Sequence, residues 1–360
     1  MIRPRPEVLS APLPAYAELA RNHHTSPVRL DFSTTLNAWG PAPVVLHALR
    51  AARPDVYPDP EALAPRQAAA ERWNRPMEEI TFGAGATELI HAACFAFLRS
   101  SDTVLVPGPT FGEYARAAAL CGARVLQGTA TPPAYALEIP AISAAVIQHR
   151  PRLAFLCAPN NPTGQPFGRD ELRGLADACA AAGSLLVLDQ SYDAFTAQPL
   201  GVPALADHPA VLHLRSFTQD HALAGVRAAF AVGAAPVVAG LARARPPWTT
   251  STAAQAAATA ALSDAADTHI LGTVTRLRFQ RELLQSAFAR LRIPTVATST
   301  HFLLAAVGNA SSVSSRLLSE HGIRVRDCTA LGLREHIQVT ARTPGDNDTL
   351  IHALEAVCSG

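Results

Sequence analysis

Between residues 79 and 235 short apolar runs alternate with amphipathic stretches, and no other feature of the chain narrows its fold as much. The runs "EITFGAG", "TVLVPG", "ARVLQG", "LAFLCAP", "SLLVLDQ", "AVLHLRS" and "RAAFAVG" read as strands. Between them "ATELIHAACFAFLRS", "FGEYARAAALCG" and "GRDELRGLADACAAAG" read as helices. That alternation predicts an α/β fold in which a mostly parallel sheet is covered by helices. The last two helices run into Gly122 and Gly183, residues suited to a left-handed carboxyl cap.

After "RARPPW" at 243–248 the texture changes. A long Ala- and Arg-rich helical stretch with at least one break precedes short strands "FLLAAV", "IRVRDC" and "HIQVTA". Helices followed by strands predict a smaller α+β unit. With 360 residues the chain is long enough for two units. The expected division is an arm and part of the small domain over 1–40, a large domain over 41–248 and a small carboxyl-terminal domain over 249–360.

Charge and composition remove several function classes. The net charge is +1 with no basic stripe, which argues against nucleic acid and anionic membranes as partners. No window approaches eighteen apolar residues, and prolines and arginines interrupt the amino terminus, so a cytoplasmic location is expected. Cysteines 94, 121, 157, 179, 328 and 358 form no CxxC pair and read as buried reduced thiols. The histidines fit no metal spacing, so no metal is expected. All 30 residues of the Lys+Arg total are arginines. Lysine is absent, and no side chain can form an imine.

In open parallel sheets ligands bind beyond the carboxyl ends of strands, where several polar residues fall. "FGAGATELI" leaves the amides near Ala86 and Thr87 at a helix start, where an anion can sit. "LVLDQSYDAF" ends an apolar strand on Asp189, a carboxylate that needs a cation or a donor if buried. "APNNPTGQP" is a turn dense in Asn, Pro and Gly. "RSFTQDHALAGVR" offers Ser216, Thr218 and Arg227 as anion ligands. Read singly, each is equally an ordinary cap or turn.

Taken in order, "LDFSTTLNAWGPAP", "VYPDPEA", "GAGATELI", "VPGPTFGEY", "APNNPTG", "LDQSYDAF", "SFTQDHALAGVR", "RPPWTTSTAAQ" and "IRVRDCTALGL" resemble the class I/II pyridoxal-phosphate-dependent aminotransferase family, fold type I. The resemblance extends from about residue 30 to about 350 and is nearest to the histidinol-phosphate aminotransferase and threonine-phosphate decarboxylase branches. It implies that Asp189 pairs with the cofactor's pyridine nitrogen, that Asn161 and Tyr192 bond its ring hydroxyl, and that Phe111 stacks on the ring. It places the phosphate on Ala86, Thr87, Ser216, Thr218 and Arg227, with Tyr57 contributed across a homodimer interface. Asn37 and Gly40 would face an amino-acid-like or amino-phosphate substrate.

Two positions depart from the family pattern. The Schiff-base lysine falls at Gln219, whose amide is neither nucleophile nor base. His221 lies two residues on, and either proton transfer or a structural role is open to it. The arginine that grips the substrate carboxylate falls at Gln338; Arg342 is expected on the same strand face but roughly 13 Å further along at about 3.3 Å per residue. Arg324 and Arg326 remain for an anionic tail, and Gln190 stands where relatives usually have Glu. The resemblance therefore implies pyridoxal or pyridoxamine 5′-phosphate held non-covalently, with weak or altered activity. Alternatives are a catalytically silent binding or heterodimer subunit, or a Lys→Gln substitution made to trap an intermediate.

Overall fold

The computed structural model describes residues 5–12 and 27–358. A short helix (Pro6–Ser10) precedes the first strand, the two-residue β1 (Leu30–Asp31). The central sheet follows, built from β2 (Ile80–Gly83), β3 (Thr103–Gly108), β4 (Arg124–Thr129), β5 (Leu153–Cys157), β6 (Leu185–Asp189), β7 (Val211–Ser216) and β8 (Ala229–Gly233). Its seven strands lie in the order β2-β8-β7-β6-β5-β3-β4. Only β8 runs against its neighbours, pairing antiparallel with both β2 and β7. Each expected strand is present, and the sheet is mostly parallel.

The apolar runs arise because the sheet is covered on both faces. Alternate residues of one strand enter opposite cores. Val104, Phe155 and Val187 pack on one side, and Leu105, Leu156, Leu186 and Leu188 on the other. Helices Ala86–Phe97, Glu113–Leu120 and Arg169–Ala182 lie where the pattern put them. Gly122 (φ +76°) and Gly183 (φ +72°) have the left-handed conformation expected of them. Helices Pro43–Ala51, Leu63–Trp73, Ile139–His149 and Ala235–Arg243 were not anticipated from the sequence.

The Ala-rich stretch forms two helices, Thr252–Ala261 and Asp264–Arg290. The break falls where the Ser263 side chain accepts from the Ala266 amide and starts a new helix. β9 (Phe302–Ala306), β11 (Arg326–Asp327) and β12 (His336–Thr340) form an antiparallel sheet in the order β11-β12-β9, while β10 (Ile323–Arg324) pairs in parallel with β1. Helices Ala310–His321 and Pro344–Cys358 close a core of Phe32, Leu303, Ile337, Leu350 and Leu354. No helix among the described residues is long and apolar enough to cross a membrane. All six cysteines are free; four are buried, Cys121 is half-buried and Cys358 is exposed, which corrects the expectation of uniformly buried thiols.

Three buried imidazoles tie stability to pH. Desolvation pushes His213 and His221 down to about 4 and His301 to about 3, against an ordinary value of 6.5. Below pH 6.5 the unfolded chain therefore takes up protons that the folded chain refuses, and stability falls as pH falls towards about 4. The slope is about 1.4 kcal/mol per pH unit for each histidine. Burial raises the Asp189, Asp193 and Asp267 carboxyls, which act in the opposite sense, and lowers His336, which adds to the effect of the other three imidazoles. Unfolding midpoints by circular dichroism should drop steadily from pH 7 to pH 5. A flat profile would show that these rings are protonated in the fold.

Candidate active site

The strands β2, β3, β5, β6 and β7 point the same way, so the loops after them gather along one sheet edge. A cavity of about 300 Å³ opens there. Its wall includes Ala86, Thr87, Phe111, Asn161, Asp189, Tyr192, Ser216, Thr218, Gln219 and Arg227 from the expected set. Thr34, Thr35, Leu36, Tyr114, Cys157, Ser191 and Ala224 complete it.

Asp189 ends β6 on the side where Val187 meets the core that contains Tyr114. Its Oδ2 accepts from the Tyr114 hydroxyl at 2.8 Å, and its Oδ1 accepts from the Ser191 hydroxyl at 2.6 Å and the Ser191 amide at 3.0 Å. Burial raises its pKa, while these donors and the Arg215 charge pull it back. The result is a fixed acceptor beneath the cavity. Tyr114, raised well above the usual phenol range by burial and the neighbouring Asp189, stays protonated and donates.

In the loop after β5, Asn160 does the folding and Asn161 faces the cavity. Asn160 donates to Pro109 O (2.9 Å) and Thr163 Oγ1 (2.9 Å) and accepts from Thr110 Oγ1 (2.8 Å). The Asn161 amide donates to the Tyr192 hydroxyl (3.0 Å), which shares a hydrogen bond with Thr35 Oγ1 (2.8 Å). Gln338 Nε2 donates to Asn161 Oδ1 (3.0 Å), and Gln338 Oε1 is buried without a partner. A polar chain thus runs from Thr35 through Tyr192 and Asn161 to β12.

At the other end the helix Ala86–Phe97 begins behind Gly85, whose φ of +89° suits glycine. A Cβ on Gly85 would lie 2.3 Å from Arg227 Nη2, so glycine also makes room for the guanidinium. Arg227 donates to Ala224 O (2.9 Å), and Ser216 Oγ accepts from the Thr218 amide (3.1 Å). A helix start, hydroxyls and a guanidinium form one donor-rich corner suited to an anion.

Gln219 lines the cavity on a braced segment. Its carbonyl accepts from the Asn37 amide (2.8 Å), and the Asn37 side chain donates to Asp220 O (2.9 Å) and Thr273 Oγ1 (2.8 Å). Gln219 Oε1 is buried without a partner. Beneath it Arg215 and Asp220 form a buried ion pair, and Asp220 Oδ1 accepts from the His221 amide (2.9 Å). His221 points away, into a second cavity lined by Phe217, Arg215 and Asp193.

Several expected site residues are not brought to the cavity wall. Asn37 braces the chain rather than facing a ligand, and Gly40 O bonds His269 (3.1 Å). Tyr57 is 83% exposed and packs on Trp248, ring centres 5.3 Å apart. Arg342 lies beyond the end of β12 at Thr340, so the expectation that it shares the strand face with Gln338 is corrected. The chain has turned there: Arg342 bonds Asp346 (3.0 Å) and Asp31 O (3.1 Å) and covers the Phe32 ring. Arg326 is buried opposite Gln338 in the β11–β12 ladder. Arg324, also buried, bonds Asp31 Oδ2 at 3.5 Å. Gln190 holds His213 (2.8 Å) behind the site. No group of three or more His, Cys, Asp or Glu among the described residues could hold a metal.

The sequence reading missed Tyr114 and Thr35. Tyr114 follows Phe111 by three residues and sits near the start of a helix, a spacing that could have pointed to it. Thr35 carries no such signal.

Comparison with known proteins places this geometry in context. The sequence model of the family described as aminotransferase class I and II matches residues 34–357. A histidinol-phosphate aminotransferase of Symbiobacterium thermophilum is 34% identical over 324 residues, covering 89% of this chain and 88% of the relative. One from Roseiflexus castenholzii is 32% identical, covering 92% and 89%. Among solved structures, histidinol-phosphate aminotransferase from Sinorhizobium meliloti, in complex with pyridoxal-5′-phosphate, superposes with a TM-score of 0.90 at 24% identity, covering 100% of this chain and 98% of that one. N-Succinyldiaminopimelate aminotransferase from Mycobacterium tuberculosis gives 0.86 at 20%, covering 99% and 100%.

Proposed function

The chain belongs to the class I and II aminotransferase family, and from that premise we propose that its cavity binds pyridoxal or pyridoxamine 5′-phosphate without a covalent link and acts, weakly or in an altered way, on an amino acid or amino phosphate. The observation that carries this reading is Gln219 in the wall of the cavity, in a chain that contains no lysine. The residues present fit the group. The corner of Arg227, Ser216, Thr218 and the helix start at Ala86 suits a phosphate, helped by the space that Gly85 leaves. Asp189 holds the proton of the pyridine nitrogen. Asn161 and Tyr192 orient the ring hydroxyl, and Phe111 covers the ring face.

When bound, the protonated pyridine supplies an electron sink for bonds to an attached amine. The chain's own contribution is to bind and orient, because Gln219 moves no proton. Activity is low for that reason, and because Gln338 gives a substrate carboxylate no guanidinium at that position. The exposed Tyr57 beside Trp248 serves a second copy of the chain, which supports a homodimer. With amides at both 219 and 338, a silent binding or partner subunit is the second reading.

Equilibrium dialysis against pyridoxal phosphate, followed by borohydride reduction and peptide mass analysis, tests the proposal. Saturable, reversible binding with no reduced adduct in the cavity peptides is expected. Absence of binding, or an adduct there, would overturn it. Turnover of amino donors by the isolated homodimer decides against the silent reading.

A further inference from the structure

We infer that the second cavity, the one that His221 faces, is a binding site for a small aromatic carboxylate gripped by Arg278. This goes beyond the cofactor reading and does not rest on it.

The cavity holds about 490 Å³, against about 300 Å³ for the first, a size at which small-molecule sites are found. Helix Asp264–Arg290 supplies one side of it, because Asp267, Ile270, Leu271, Val274 and Arg278 recur at three- and four-residue intervals and so share a face. Trp73, Val202 and Phe217 add apolar wall from three other parts of the chain. A lining that is mainly apolar and partly aromatic suits a flat ring.

The charged groups give the site its sign. Arg72 is paired with Asp267 and Arg215 with Asp220, while Asp193 accepts from the amides of Leu200 (2.9 Å) and Gly201 (2.8 Å). Burial holds His221 down to about 4, so its ring is neutral near pH 7. Arg278 is different. Its Nη1 donates to Thr196 O (2.9 Å), and no carboxylate among the described residues pairs with it. Nε and Nη2 remain, the edge of the guanidinium that a carboxylate meets with two parallel bonds. Both keep accessible surface, since no atom of the half-buried Arg278 is enclosed without a partner. One guanidinium balances one negative charge, and Asp193 and Asp267 in the same cavity oppose a second. A monocarboxylate with a ring behind it matches both the charge and the walls.

Calorimetry on the intact protein tests this with indole-3-acetate and with indole-3-acetamide, which has the same ring and no charge. The acid is expected to saturate a single site and to bind roughly tenfold or more tightly than the amide. Arg278→Met keeps an apolar stem but loses the fork; it should weaken the acid roughly tenfold and move the amide by no more than about twofold. Arg227→Met removes the cation of the first cavity and should leave the acid within about twofold of the parent. Loss of the acid in Arg227→Met rather than in Arg278→Met, or its displacement by pyridoxal phosphate, would put the ligand in the first cavity and overturn the inference. Equal affinities for acid and amide, or no saturable binding of the acid, would overturn it too. If pyridoxal phosphate itself does not bind, the cofactor reading falls, while acid, amide and the two arginine variants still decide this one. Should Arg278→Met not fold, the acid-to-amide ratio and Arg227→Met can each still refute the site.

Discussion

Gln219→Lys is expected to take borohydride-trapped pyridoxal phosphate from none to near-complete occupancy at residue 219. The backbone at this position is fixed by Asn37, and the side chain already forms part of the cavity wall, so a lysine enters a site shaped to aim it inward. Desolvation there lowers an amine's pKa and leaves more of it as the free nucleophile. The amine nitrogen bonds to the aldehyde carbon, water leaves, and the link is captured by reduction and read by peptide mass. Binding without capture would mean that residue 219 does not reach the aldehyde. Amino-group transfer should stay low in this variant, since Gln338 remains. Adding Gln338→Arg is not a simple repair, because Gln338 is 1% exposed and faces the buried Arg326 in the strand register. Two guanidiniums side by side need a bound anion between them.

Asp220→Ala should cost about 3–5 kcal/mol of folding stability, the usual penalty for leaving one member of a buried ion pair without its partner. Asp220 is fully buried, and the charge of Arg215 holds its carboxyl below the ordinary range despite the desolvation that opposes it. Its removal strands Arg215, whose side chain is only 15% exposed, and frees the His221 amide. The same segment carries Gln219, so affinity for cofactor should fall together with stability. Urea unfolding measures the first and calorimetry the second. The double variant Arg215→Met, Asp220→Leu separates charge from shape: it should recover most of the lost stability if the stranded guanidinium is the cause. No recovery would mean that the hydrogen bonds of the segment, rather than the charge, carry the effect.

The central sheet was legible because its strands are buried on both faces and so read as unbroken apolar runs; β2, β5 and β8 are buried throughout. The helix Leu63–Trp73 was not, since it buries only Pro65 and Ala69 and has almost no apolar stripe to read. Asp189, Asn161 and Arg227 could be picked out because strand ends and glycine-rich turns mark the ligand edge of such a sheet. Tyr114 could not be paired with Asp189, nor Gln338 with Asn161, because their partners are 75 and 177 residues away. Arg342 was misplaced by extending β12 two residues too far, a boundary that the apolar pattern does not fix. Asn37 was read as facing outward to a ligand, whereas it binds the chain that carries Gln219.

One wall of the cavity, Thr34 to Leu36, follows β1, which is stitched to β10, and Phe32, whose amide donates to the Arg324 carbonyl and whose carbonyl accepts from the Thr340 amide. Thr35 is also held through its carbonyl by His301 (3.1 Å). A molecule leaving past that wall must therefore wait for the seam to part, with Thr35 releasing Tyr192 and Gln338 releasing Asn161. Loosening the latch should speed capture and release by that route alike, because entry past the same wall waits for the same opening.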